Sequence, residues 1–212
     1  MISKIKNIDK KILMYIAKLQ KPFLNKIMIF FTVMGNNGVI WLLISVPMLL
    51  NYSSRTKGIK LIVSLALAGF MGEIIIKRLV GRERPFDEPD FDDVLIKKPI
   101  TYSFPSGHTS SSMAAATTIS FCFPHLAVPA FALGIIISFS RLYLQVHYPS
   151  DVLAGAALGL ICGFITNKFC CIWSEVIFVI ILGIDPGYAI VGFGSVAVSG
   201  GMFETTSYGA IT

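Results

Sequence analysis

The feature that most constrains this chain is a succession of long apolar runs, at 23–50, 59–80, 105–121, 128–143 and 149–172, each bordered by a short polar piece. A bilayer accommodates such runs as helices of about 20 residues each, whereas a soluble domain of this size could not hide them all. The chain is 54% hydrophobic and only 14% charged, and its mean hydropathy is +0.73, all far from a soluble average. An all-α, polytopic membrane protein is therefore expected. The formal charge of +6 does not point to nucleic acid. Seven of the 18 basic residues are lysines in the first 26 positions, directly before an apolar run, which reads as a cytoplasmic flank. No short apolar core followed by a small-residue cleavage site precedes them, so the start is not read as a removed signal peptide.

Taken in order, residues 8–20 place Ile8, Ile12, Leu13, Ile16 and Leu19 opposite Lys10, Lys11 and Lys18, the pattern of an interfacial amphipathic helix. The run 23–50 is broken by Gly35, Asn36, Asn37 and Gly38 and reads as a tight helical hairpin. With single spans at 59–80, 105–121, 128–143 and 149–172, the expected architecture is a six-helix transmembrane bundle with an N-terminal amphipathic helix and a short β-like tail. The corresponding organisation is an interfacial helix at 1–21, a core at 22–172 and a tail at 173–212. By parity, a cytoplasmic N-terminus would put the polar pieces after span three, before span four and between spans five and six together on the extracytoplasmic face.

Those three pieces carry most of the side chains suited to chemistry. They are KRLVGRERP from Lys77 to Pro85, PSGH from Pro105 to His108, and SRLYLQVHYPSD from Ser140 to Asp151. Lys77, Arg84 and Arg141 are cations at helix ends, natural partners for phosphoryl oxygens. Ser106 and Gly107 stand where a helix begins, so free N–H groups and the positive end of its dipole make an anion seat. His108 follows, placed to donate a proton to a leaving oxygen. Pro149 suits the first turn of the last span, which lets Asp151 reach back to His147 and fix its tautomer, leaving the other ring nitrogen free to attack. Glu73, one turn before Lys77, reads either as an intramembrane functional carboxylate or as the ion-pair partner of Lys77. Arg78 and Arg82 are secondary candidates. Cys122, Cys162, Cys170 and Cys171 lack metal-ligand spacing and read as packing residues, with acylation near Cys170 and Cys171 as an alternative.

The order and spacing Lys77-x6-Arg84-Pro85, Pro105-Ser106-Gly107-His108, Ser140-Arg141-x5-His147-x3-Asp151 resembles the three-part signature of the type 2 phosphatidic acid phosphatase family, over about residues 8–171. The resemblance implies a metal-free membrane lipid phosphatase without cofactor. It assigns His147 as nucleophile, Asp151 as its orienting carboxylate, His108 as proton donor, and Lys77, Arg84, Ser106, Gly107 and Arg141 as the phosphate site. It allows an isoprenyl pyrophosphate such as undecaprenyl pyrophosphate, phosphatidylglycerol phosphate or phosphatidic acid as substrate, the first being preferred. Transfer of the phosphoryl group to another lipid, or binding and transport without turnover, are the alternatives.

The tail differs in style. The stretch ILGIDPGYAIVGFG, 181–194, alternates like a strand, a turn and a second strand, and resembles the start of a RuvC-type crossover-junction endonuclease in which Asp185 would hold a metal. Two-metal chemistry needs several carboxylates, and after Asp185 only Glu204 follows. No nuclease and no nucleic-acid partner are expected, and the tail is expected to be dispensable.

Overall fold

The computed structural model describes residues 2–88, 95–176, 179–186, 191–199 and 202–211. Its helices are α1 (Ile2–Ala17), α2 (Pro22–Gly35), α3 (Val39–Leu50), α4 (Arg55–Gly69), a short α5 (Lys77–Val80), α6 (Gly107–Cys122), α7 (Ala127–Tyr143) and α8 (Pro149–Val176). A π-helical segment, Phe70–Ile76, joins α4 to α5. The chain forms two compact units that divide between Asn167 and Lys168. Among the described residues, four helical stretches are long and apolar enough to cross a membrane: Pro22–Leu50, Tyr52–Asp87, Pro124–Tyr143 and Pro149–Phe169.

The centre of the first unit is α6, the least apolar of the expected spans. Its hydroxyls turn back on their own helix: Ser110 donates to the Gly107 carbonyl, Ser111 to His108, and Thr117 to Met113. A hydroxyl satisfied this way can be buried without a foreign partner. Small side chains then let neighbours approach closely. A Cβ on Gly159 of α8 would lie 2.3 Å from the Ser110 carbonyl oxygen, and one on Gly155 would lie 2.6 Å from that of Ser106. The glycines thus form a seam that presses α8 on α6. On another side, Trp41, Leu61, Ala115, Ala116 and Ile137 close a core between α3, α4, α6 and α7. Cys162 packs with Ala68 and Ala114, as a packing thiol should. The side chains of Cys170 and Cys171 lie outside the described residues.

Two expectations need correction. The run 22–50 is not a hairpin. Residue 21 sits beside Tyr143, at the end of α7, where the Lys21 N–H donates to the Tyr143 hydroxyl over 3.0 Å. At the other end of the run, Leu49 meets Gly58, and Lys57 stacks on Phe123 at the end of α6. Because α6 and α7 are antiparallel neighbours joined by Pro124–Leu126, Tyr143 and Phe123 mark opposite ends of the bundle. Residues 22–50 therefore make one kinked pass. Asn37 and Gly38 take φ of 50° and 68° at the kink, a left-handed conformation that Asn and Gly tolerate best. The described helices make five passes along the bundle in place of six.

The second correction concerns α1. The helix forms where expected, but its inward stripe is Asp9, Leu13 and Ile16, all buried, while Ile8, Ile12 and Leu19 are exposed. It packs on Tyr148, Ser150, Arg82 and Glu88, at the end of the bundle where α5 and α7 finish and α6 and α8 begin. The lysine-rich start and the three polar pieces thus share one end, and the parity argument that put them on opposite faces fails.

The second unit holds an antiparallel sheet in the order β1 (Val179–Pro186), β2 (Val191–Ser199) and β3 (Met202–Ile211). The sequence reading expects two strands. The third arises where Phe203, Thr205 and Tyr208, residues that favour strands, pair with β2. The side chains of Asp185 and Glu204 lie outside the described residues.

Candidate active site

The three polar pieces converge on one cavity of about 700 Å³, lined by Lys77, Arg84, Gly107, His108, Arg141 and His147. Local structure explains how each arrives. Gly81, with φ of 59°, ends α5 in a left-handed cap, which frees Arg82 and Arg84 from the helix. The Arg84 guanidinium then spans the loop: Nε donates to the Thr101 carbonyl (2.7 Å), Nη1 to the Val146 carbonyl (2.8 Å), and Nη2 to the Thr101 hydroxyl (3.1 Å) and the Tyr102 carbonyl (3.3 Å). Lys77, buried, contacts both oxygens of Glu73 at 2.7 Å, so the ion-pair reading of Glu73 holds. The π-helical register of Phe70–Ile76 presents Glu73 against Gly107, where a Cβ would lie 2.1 Å from its Oε1. Glycine at 107 is what lets an acidic group reach the start of α6.

Arg141 rises from the last turn of α7 and donates from Nη1 to the Thr32 hydroxyl. Its Nε is buried with no hydrogen-bond partner among the described residues. A buried guanidinium nitrogen without an acceptor is costly, and an anion in the cavity would supply one. His108 directs Nε2 at two oxygens of the α2–α3 break, the Asn36 side chain (3.0 Å) and the Thr32 carbonyl (3.2 Å). A carbonyl only accepts, which assigns the proton to Nε2.

His147 is buried between the cavity and Asp151. Its Nε2 lies 3.3 Å from Arg84 Nη1, a pure donor, so Nε2 is the unprotonated ring nitrogen and its lone pair accepts from Arg84 at the cavity wall. Its Nδ1 lies 3.5 Å from the Ser103 hydroxyl and 3.6 Å from Asp151 Oδ2. Burial first, then the charges of Arg84, Arg141 and Lys77, hold its pKa well below the usual histidine value, so the ring is neutral. Asp151 Oδ2 accepts from the Ser103 hydroxyl at 2.5 Å and from the Tyr148 N–H at 2.9 Å, and Oδ1 accepts from Arg82 at 2.6 Å. The backbone N–H of Ser106 donates to the Asp151 carbonyl at 3.0 Å, which ties the starts of α6 and α8 together. The Ser106 side chain is buried away from the cavity and accepts from Thr109, so of the expected phosphate-binding set it is the one not brought to the cavity wall.

Several participants escaped the sequence reading. Thr101 and Ser103 sit in a polar loop where nothing in composition separates them from their neighbours. Thr32 and Asn36 lie, in the sequence, within an apolar run and its break, with nothing to mark them as polar contacts. Arg82, a secondary candidate, faces Asp151 and not the cavity. Asp9 did leave a signal: it is the first carboxylate in the chain, and the next is Glu73.

Residues 57–170 match the family model described as the PAP2 superfamily. The chain belongs to the PAP2 superfamily. Among curated proteins, this PAP2 chain is 32% identical to an undecaprenyl-diphosphatase of Sulfolobus acidocaldarius over 137 residues, 64% of this chain and 66% of that protein. It is 42% identical to a decaprenylphosphoryl-5-phosphoribose phosphatase of Mycobacterium tuberculosis over 99 residues, 45% of this chain and 51% of that one. The chain thus spans between half and two thirds of the length of these relatives. Among solved structures, Aquifex aeolicus LpxE superposes with a TM-score of 0.64 at 28% identity, covering 74% of this chain and 93% of LpxE. A transmembrane PAP2 type phosphatidylglycerolphosphate phosphatase of Bacillus subtilis shares the fold, with a TM-score of 0.65 at 24% identity over 78% of this chain and 86% of that one. With its apolar helices and these membrane neighbours, this PAP2 chain is a multi-pass membrane protein.

Proposed function

We propose that this PAP2 protein is a metal-independent membrane phosphatase that hydrolyses a lipid phosphate or pyrophosphate through a phosphohistidine on His147. The observation that carries the reading is the cavity itself. Its wall combines the unprotonated Nε2 of a neutral His147 and the cations Lys77, Arg84 and Arg141 with apolar Val33, Leu42, Ile62 and Leu65. A phosphorylated lipid matches both kinds of lining. In the first step Nε2 attacks phosphorus, the bond from phosphorus to the lipid-side oxygen breaks, and His108, entering the step as imidazolium, gives that oxygen one of its two protons and is left neutral. Asp151 and Ser103 face the cation that forms on the ring. In the second step water attacks the phosphorus, His108 takes its proton, and the N–P bond breaks to release phosphate. Arginine, lysine and the N–H groups at the start of α6 stabilise the charge that builds on the phosphoryl oxygens.

The polyprenyl phosphates and pyrophosphates named by the two relatives support an isoprenyl pyrophosphate as the first substrate to test. Purified protein, assayed in EDTA against undecaprenyl pyrophosphate, phosphatidylglycerol phosphate and phosphatidic acid, is expected to release inorganic phosphate from at least one. Loss of release in EDTA would sink the metal-free mechanism, and transfer of phosphate to an added alcohol without free phosphate would indicate a transferase. The depressed pKa of His147 sets a sign for pH dependence: the nucleophile stays unprotonated below the ordinary histidine value of about 6.5, so the acid limb of kcat/KM for the free enzyme should fall below that pH. A limb at or above it would contradict the neutral, buried ring.

Sidedness follows from α1. Since the N-terminal helix shares the site end, the protein has either both outside or both inside. The site is proposed to face outside, and the N-terminus is then outside with it. A cysteine at position 4, in a background lacking the native cysteines, should then react in intact cells with a membrane-impermeant thiol reagent. Labelling only after lysis would reverse the assignment.

A further inference from the structure

The N-terminal helix reaches into the site from 141 positions away. Asp9 is buried on the inward stripe of α1. Its Oδ2 accepts from Arg82 Nη2 at 2.8 Å and from the Ser150 hydroxyl at 2.5 Å, and its Oδ1 accepts from the Ser150 N–H at 3.0 Å, in the first turn of α8. The same guanidinium donates from Nη1 to Asp151 Oδ1 and to the Ser150 hydroxyl, both at 2.6 Å, and lies 4.0 Å above the Tyr148 ring. Arg82 therefore bridges two carboxylates: one on α1, the other the partner of His147. It does not line the cavity, so substrate contact does not explain it. An amphipathic helix that served only to lie on a membrane would gain nothing from a buried carboxylate on its protein-facing stripe.

We propose that Asp9 is a positioning residue for turnover: through Arg82 and Ser150 it fixes the Asp151 carboxylate and the start of α8, which makes α1 a working part of the site. The proposal rests on the phosphohistidine reading. Without the Asp9 charge, the guanidinium loses one of its two anchoring carboxylates and its fork geometry; in Asp9→Asn one amide oxygen can still accept from the Ser150 N–H, but the NH2 that replaces the second oxygen meets the donor Arg82. Asp151 then no longer has a fixed partner on the Oδ1 side, and the His147 ring loses its aim. The phosphate-binding cations are untouched, so the effect belongs to the chemical step and not to binding.

The test compares the full-length protein in detergent with Asp9→Asn, Arg82→Ala, Arg82→Lys and the Asp9→Asn/Arg82→Ala double variant, each checked for monodispersity. Asp9→Asn should lower kcat by about 100-fold, the scale of a small misplacement of reacting groups, and change KM by less than about threefold. The double variant should be no worse than Arg82→Ala within about threefold, because the two residues act in one chain. If Asp9→Asn does not fold, Arg82→Lys carries the test, since it keeps the charge, leaves α1 intact and loses the fork; kcat should fall at least about tenfold with KM unchanged. A folded Asp9→Asn with wild-type kcat, a loss confined to KM, multiplicative effects in the double variant, or an Arg82→Lys with wild-type kcat would each overturn the inference alone if the wild type is active and His147→Ala is not. A wild type that hydrolyses no lipid phosphate would overturn the proposed function and the role of Asp9 with it.

Discussion

Replacing His147 with alanine is expected to lower phosphate release by at least about a thousandfold, with the protein still inserted and monodisperse. The size follows from the role: removing a nucleophile closes the covalent route, and only the residual effect of binding and charge remains. The geometry sharpens the expectation. The ring is held between Arg84 at 3.3 Å on Nε2 and the Ser103 hydroxyl and Asp151 on Nδ1 at 3.5 and 3.6 Å. No other histidine is placed to take over, because the Nε2 proton of His108 is already directed at Asn36 and Thr32. Turnover of His147→Ala within tenfold of wild type would contradict the assignment.

Arg84 should show the second large effect. Its guanidinium meets three carbonyls, those of Thr101, Tyr102 and Val146, besides facing His147 and the cavity. Arg84→Ala removes one fixed charge from the transition state, an effect of about 10²–10³ in turnover for a single donor of this kind. It also leaves those carbonyls without their donor, so thermal stability should drop as well. Arg84→Lys is expected to recover little, since one ammonium group cannot span the sites that the planar fork reaches. Measuring kcat/KM and the melting temperature of both variants separates the two losses. A lysine variant with wild-type turnover would mean that charge alone matters at this position.

Much of the site was legible because its chemistry is written in short pieces at helix ends. Lys77, Arg84, Gly107, His108, Arg141 and His147 all reach one cavity, and Asp151 stands behind His147. Ser106 shows the limit of that reading. A helix start fixes where its N–H groups point, but whether a side chain faces the cavity depends on packing, and here the Ser106 hydroxyl turns to Thr109. The N-terminal helix shows another. Helical periodicity identified an amphipathic segment, yet two stripes compete in it, and only tertiary contact selects Asp9, Leu13 and Ile16 over Ile8, Ile12 and Leu19. Likewise Gly35–Gly38 announces a break without giving its angle. A kink at Asn37 and Gly38 keeps the chain moving towards the far end, and a hairpin would have brought it back. The count of passes and the position of the N-terminus both changed with that one angle.

The measurement that tests the central claim most directly is capture of the covalent intermediate. Protein mixed with a ³²P-labelled lipid phosphate in EDTA and quenched in alkaline detergent within the first turnover should carry label that is stable to base, lost in acid, and located by peptide mapping at His147. The label should be absent from His147→Ala and should chase out as inorganic phosphate when unlabelled substrate is added. Steady phosphate release with no label on His147, or label retained in His147→Ala, would contradict the account.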